Sequence, residues 1–229
     1  MDVLQSGVYT EFTWSRNHVA ASGSNQVYLL VEWRGSKVKP RNHIANSRHI
    51  AEEVQLHLQL GSGVGLKALY GCKVEVLNEL NCTLWIGSLP EGEDRRIVLE
   101  FEFASRPSGT HPIVTALCTY KDGMNRQVIL PSRTISLQFS NHTAVHLKKV
   151  DHRVEKCMKI LQNPAVLESA LLAFERGYYE RGEEIIRRRA DEMLLQAIRL
   201  GDADYLEEAE ILYALSHTFI NTYEPAAAG

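Results

Sequence analysis

This 229-residue sequence lacks the features that most directly suggest a function class. It has no excess of basic charge. Lys and Arg number 25 against 28 Asp and Glu, for a formal net charge of −3, so nothing electrostatic calls for a nucleic acid or an anionic membrane. No apolar run approaches the roughly 18 residues needed to cross a bilayer. The opening "MDVLQSGVYTEFTWS" has no basic start followed by an apolar stretch. It does not read as a signal peptide, and a cytoplasmic chain is expected. The four cysteines, Cys72, Cys82, Cys118 and Cys157, show no CxxC spacing, which argues against a zinc knuckle or a thioredoxin-type site. Cys72 and Cys82 are spaced to face each other across a hairpin centred on Leu77. In a reducing compartment they read as small buried apolar residues instead.

Catalytic signatures are missing too. No GxSxG or HExxH occurs. "GSGVG" at 61–65 sits between strands, lacks the Lys-Ser/Thr of a phosphate loop, and reads as a turn. His142, His146 and His152 form a loose group that reads as a hinge with ordinary histidines rather than a metal site. The acidic pairs Glu52/Glu53 and Glu207/Glu208 are adjacent in sequence and would not share a helix face. The expectation is a chain with no catalytic residues, no metal and no cofactor.

Up to about residue 146 the sequence runs on period two. Val27, Leu29, Val31 and Trp33 alternate with more polar neighbours, as do Val54, Leu56, Leu58 and Leu60. Ile97, Leu99, Phe101 and Phe103 alternate with Val98, Glu100 and Glu102, and Ile135, Leu137 and Phe139 follow the same rule. Weaker strands are expected near 6–14, 64–70, 73–77, 82–86, 112–121 and 125–130, separated by "LPEGED", "RPSGTHP" and "KDGMN". Short antiparallel strands with one apolar face need a second sheet to cover it, which predicts a β-sandwich over 1–146.

After Val150 the period lengthens to about 3.6. "DHRVEKCMKIL" reads as a first helix stopped near Pro164, with further helices over about 164–177, 179–200 and from "GDADYL" onward. Ile186, Ala190, Met193, Ala197 and Leu200 share one stripe of the third. Short connections predict antiparallel hairpins. The fold class is therefore mainly β plus α, an antiparallel sandwich followed by a helical domain over 147–229. In "ERGEEIIRRRADE", Glu183 and Arg187, like Glu184 and Arg188, sit at i,i+4 and are expected on a solvated face.

Between the strands ending at Gly35 and beginning near Ile50 lies a basic, polar stretch with no hydrophobic period, far longer than a hairpin turn requires. The segment "HIAEEVQLHLQLGSGVGLKALYGC", with "LWIGSLPEGEDRRIVLEFEFASRPSGTHPIVTALCTYKD", resembles the region after the A domain in bacterial von Willebrand factor A proteins of the chloride-channel-like kind. There a strand ends in a Gly-x-Leu-x-x-Gly-Glu-x-Arg turn, matched here by Gly87, Leu89, Gly92, Glu93 and Arg95 or Arg96. The N-terminal "VYTEFTWSRNHVAASGSNQVYLLVEWRG" is similar to the strands before that domain, and the helical tail to the family's C-terminus. This chain has no Asp-x-Ser-x-Ser metal motif; it has "GSKVKPRNHIANSR" instead. The resemblance implies that the A domain, absent here, would be inserted at about 35–50. Gly35, Ser36, Lys37, Pro40 and Asn46 mark that junction, and 34–48 is expected to be exposed and poorly ordered.

The function implied is a non-enzymatic scaffold and protein-interaction module that positions a metal-dependent binding domain or protein partners, among them a MoxR-type AAA+ ATPase. The alternative is a carbohydrate- or small-ligand-binding sandwich using Trp14, Trp33, Trp85, Tyr120, Tyr178 and Tyr179. A hydrolase assembled from scattered residues has the least support.

Overall fold

The computed structural model describes residues 7–35, 49–78, 80–143 and 149–223. The strands are β1 (Val8–Trp14), β2 (His18–Ala20), β3 (Ser24–Gly35), β4 (His49–Leu60), β5 (Val64–Tyr70), β6 (Lys73–Leu77), β7 (Asn81–Pro90), β8 (Asp94–Phe103), β9 (Gly109–Asp122), β10 (Gln127–Ile129) and β11 (Arg133–Ser140). Helices α1 (His152–Leu161), α2 (Asn163–Glu175), α3 (Tyr179–Leu200) and α4 (Ala203–Tyr223) follow. The expected class, strands first and helices after, is the one observed.

The strands form two sheets. One has four strands in the order β1-β3-β8-β5. The other has seven, in the order β2-β11-β9-β4-β7-β6, with β10 on β9. All pairings are antiparallel except β2 with β11. The inward residues of β3, β8, β4 and β9 are those the alternation picks out. Leu29, Val31, Trp33, Ile97, Leu99, Phe101, Leu56 and Leu58 lie in one buried cluster between the sheets, where burial stabilises each large apolar side chain by about 1.5–3 kcal/mol. Trp14, Phe103 and Phe139 pack edge-on in the same layer, with ring centroids 5.7 to 6.2 Å apart. The Trp14 indole N–H donates to the Ser136 carbonyl at 3.0 Å.

The compact unit that contains the sandwich runs to Met158, and the second unit begins at Lys159. The division thus falls some way after the 146/147 boundary read from the period change. The physical reason is α1. Asp151 caps its first turn, its side chain accepting the Arg153 and Val154 N–H groups at 2.9 and 3.2 Å. The Asp151 N–H donates to the Ser15 carbonyl at 2.8 Å. Arg153 pairs with Glu32 of β3, which holds the first turn of α1 against the outer face of the four-stranded sheet. Val154 and Cys157 are buried, and so are Leu30 and Val98, which point outward from that sheet.

In the second unit, α2, α3 and α4 pack around Ala170, Phe174, Ile186, Ala190, Met193, Ala197, Tyr205, Ala209 and Leu212. Leu200, the last member of the predicted stripe, is exposed instead, because it ends α3 beside the left-handed Gly201 (φ 65°) that turns the chain into α4. Glu183 and Arg187 pair at 2.9 Å on the solvated face. Arg189 faces inward and donates to Asn163 Oδ1 at 2.8 Å, while Asn163 Nδ2 donates to Glu208 at 2.8 Å. No described helix is long and apolar enough to cross a membrane.

Candidate functional site

The strand registers define one end of the sandwich. β3 arrives there at Gly35, paired with Val8, and β4 departs at His49, paired with Pro90. The two strands belong to different sheets, yet their ends touch. A Cβ built on Gly35 would lie 2.4 Å from Ile50 Cδ1 and 3.7 Å from the Pro90 carbonyl oxygen. A side chain at this position would displace the tip of Ile50. Of the expected junction residues, Gly35 lies at this contact; Ser36, Lys37, Pro40 and Asn46 fall in 36–48, outside the described residues.

The family-like turn is at the same end. β7 belongs to the seven-stranded sheet and β8 to the four-stranded one, so the chain crosses between sheets over 91–93. Gly87 and Gly92 have φ of 94° and 80°, values open to glycine at little cost. Leu89 is buried. The Glu93 N–H donates to the Pro90 carbonyl at 3.4 Å, and Arg95 Nε donates to the Ser88 carbonyl at 3.3 Å. Arg96, the other arginine of the motif, turns to Glu32 at 3.1 Å. Gly35 and Gly87 are some fifty residues apart in sequence, and Pro90 brings the two stretches together: it pairs with His49 and borders Gly35.

Charge at this end is mixed. Arg34 reaches Glu11 at 3.6 Å and Asp94 at 3.9 Å, and Lys121 reaches Glu53 at 2.6 Å. Sequence reasoning passed over Glu32 and Arg153. Glu32 is fully buried, and its two oxygens face Arg96 and Arg153 as charge contacts rather than aligned hydrogen bonds. The signal available was a carboxylate flanked by Leu30 and paired against a strand with Val98 at an outward position: a face too apolar to be left in water.

The remaining candidates scatter. Trp14, Trp33 and Tyr120 are core residues and Tyr178 is exposed. On the outer face of the seven-stranded sheet, His57 lies between the Thr83 and Thr119 hydroxyls, Nδ1 at 3.1 Å from one and Nε2 at 3.2 Å from the other. Trp85 and Gln55 are register partners beside them. All four cysteines are free thiols, three of them buried. Burial pushes the Cys72 thiol up to about 12, with Cys82 adding to the rise. It raises Cys118 as well, opposed by the hydrogen bond from Trp33. A cavity of about 230 Å³ opens between β1 and the β10–β11 connection, lined by Val8, Thr10, Phe12, Cys118, Leu130 and Arg133. That is below the range of pockets that enclose drug-sized ligands. "GSGVG" connects β4 to β5. Among the described residues no three His, Cys, Asp or Glu side chains converge as a metal site; His146 lies outside them.

No protein-family model matches the chain, and no curated protein matches it. Solved structures do. A von Willebrand factor type A protein from Catenulispora acidiphila is similar at TM-score 0.50 and 16% identity, over 69% of this chain and 38% of that one. The collagen-binding subdomain of the Enterococcus faecalis surface protein ACE has TM-score 0.36 and 12% identity, over 58% of this chain and 96% of its own. A cohesin module from a Clostridium perfringens family 33 glycoside hydrolase has TM-score 0.40 and 9% identity, over 59% and 98%. The chain spans 38% of the length of the first of these. At such identities the likeness is one of fold: the chain is similar in fold to a von Willebrand factor type A protein.

Proposed function

We propose that this chain is a non-enzymatic interaction module, a split β-sandwich built to carry a guest domain of the von Willebrand factor A type at its junction end and present it to protein partners. The observation that carries this reading is the adjacency of Gly35 and Ile50. Two strands of different sheets leave the fold side by side, the geometry in which a guest with neighbouring termini is inserted without disturbing its host. Loop-closure cost rises only slowly with length, by about 0.6 kcal/mol per doubling. The sandwich core therefore does not depend on what fills 36–48. The match to 38% of the Catenulispora acidiphila protein leaves that protein ample length for such a guest. The metal-dependent chemistry belongs to the guest; a MoxR-type ATPase is the partner that the family likeness suggests.

The test replaces 36–48 with an A domain that carries its own Asp-x-Ser-x-Ser motif and, in a second variant, with a Gly/Ser segment of similar length. The expected result is amide protection in β3, β4 and β8 equal to that of the parent, together with magnesium binding by the guest as tight as in isolation. Loss of β3 and β4 protection in both variants would overturn the reading.

A second reading is favoured by Trp85, which lies half-buried beside Gln55, Thr83 and His57 on the outer sheet face: a platform for a sugar ring. Because Trp14 and Trp33 are buried, tryptophan emission titrated with oligosaccharides reports mainly on Trp85. A flat titration removes this alternative.

A further inference from the structure

Six charged side chains close a ring on the outer face of the four-stranded sheet. Arg153 of α1 meets Glu32. Glu32 meets Arg96 at 3.1 Å, Arg96 meets Asp94 at 3.5 Å, and Asp94 meets Arg34 at 3.9 Å. Arg34 meets Glu11 at 3.6 Å, and Glu11 returns to Arg153 at 3.8 Å. The signs alternate throughout and sum to zero.

The sheet register explains what α1 adds to the ring. Glu11 and Glu32 are direct cross-strand partners, and like charges placed opposite each other destabilise a sheet. Glu32 is also fully buried, where a carboxylate without a cation is costly. Arg153 reaches both carboxylates, easing their repulsion and joining Arg96 as the second cation on Glu32. Arg34 reaches Glu11 as well, from the residue just before the junction glycine. Arg34 faces one oxygen of Glu11 and Arg153 the other, so two arginines, one on the helix and one beside Gly35, divide the charge of a single carboxylate.

We propose that Arg34 competes with Arg153 for Glu11, so that charge arriving at the junction end sets how firmly α1 grips the sheet. An acidic group that engages Arg34 removes the competing cation, leaves Glu11 to Arg153, and tightens the helix. A basic group that draws Glu11 away loosens it. The coupling resides in this chain and holds whether or not a guest domain is seated between β3 and β4. Glu11 and Arg34 are about half exposed, with side-chain accessibilities of 52% and 50%, so both are open to such a group, and either can be neutralised without burying an unpaired charge.

The experiment is amide hydrogen exchange on the full chain at low ionic strength, read at Val154 and Cys157 of α1, with Leu99 and Phe101 of β8 as the reference for global opening. Arg34→Gln is expected to raise α1 protection about two- to five-fold, and Glu11→Gln to lower it by a similar factor, the size of a partly exposed ion pair. Salt at about 1 M, which screens such pairs, should shrink both differences. In an Arg153→Gln background, Arg34→Gln should have no effect on α1. A merely structural role for Arg34 predicts the opposite sign, because losing a packed side chain loosens its surroundings. Unchanged or reduced α1 protection in Arg34→Gln, or an equal change at the β8 reference amides, would overturn the proposal.

Discussion

The indole N–H of Trp33 donates to the sulfur of Cys118 at 3.3 Å, a bond that runs from β3 of one sheet to β9 of the other through the centre of the core. Both residues are buried, so neither finds water if the other is removed. A double-mutant cycle with Trp33→Phe and Cys118→Ala is expected to give a coupling of about 0.5–1.5 kcal/mol, the net worth of one internal hydrogen bond. Each single change costs more than this through lost packing. Urea unfolding of the four proteins measures the coupling, and strict additivity would show that the bond contributes nothing to holding the sheets together.

Gly35 and Ile50 supply the second prediction. A Cβ on residue 35 meets the tip of the Ile50 side chain at 2.4 Å, well inside van der Waals contact. Gly35→Val should destabilise the sandwich by about 1–3 kcal/mol through overpacking. Adding Ile50→Ala clears the space and should recover part of the loss, although each change alone is destabilising. If the double variant is as unstable as the sum of the two, the contact is not what demands glycine.

Much of this fold was legible in the sequence, and the parts that were not share a cause. Val27 to Trp33 and Ile97 to Phe103 announce inward faces because alternation is local, and the helical stripe through Ile186, Ala190 and Met193 is local too. Leu30 and Val98 break the alternation at outward positions. Their burial reports a helix that arrives from more than fifty residues downstream, which no window on β3 or β8 contains. The same distance hid the division after Met158: α1 has a helical period, but its capping by Asp151 and its Arg153–Glu32 pair tie it to the sandwich. At the site, the sequence singles out Gly35 and the Gly87 to Arg95 stretch separately. Their meeting at Pro90 depends on the β4–β7 register, whose bulges between Ala51 and Gln55 no propensity foretells. Arg189 read as one more surface charge because the partners that draw it inward, the Asn163 side chain and the Lys159 carbonyl, come from other helices.

The cysteines give a pH dependence with a definite sign. In the folded chain the Cys72 thiol is pushed up to about 12 from an ordinary value of 9.0, so the folded state disfavours the thiolate. The stability linked to Cys72 is fully present below pH 9 and is lost as pH rises from there through about 12. Urea midpoints measured from pH 8 to 11 should fall along this limb in the parent, and Cys72→Ala should flatten it. The thiols of Cys82, Cys118 and Cys157, also raised by burial, leave a residual slope. Parallel curves for the two proteins would remove Cys72 as a contributor.

Gly182 decides the geometry of the helical unit. It lies one turn into α3, where glycine is a poor choice by propensity; alanine would favour the helix by about 1 kcal/mol. Yet a Cβ there would sit 2.7 Å from two carbons of the Phe174 ring, and Phe174 is itself held. Its ring stacks on Phe219 of α4 at 5.4 Å and packs against Tyr179 at 6.5 Å, and it is buried in the core of the three helices. The ring cannot retreat without displacing α4, so the steric cost exceeds the propensity gain. Gly182→Ala is expected to destabilise this unit by about 1–2 kcal/mol net, and Phe174→Leu in the same chain to offset part of that loss by making room for the methyl. Hydrogen exchange at Ile186 and Leu212 reads the effect within the unit. A Gly182→Ala chain that gains protection at those amides would mean that the ring moves freely and that propensity, not the close approach of α2 and α3, governs the position.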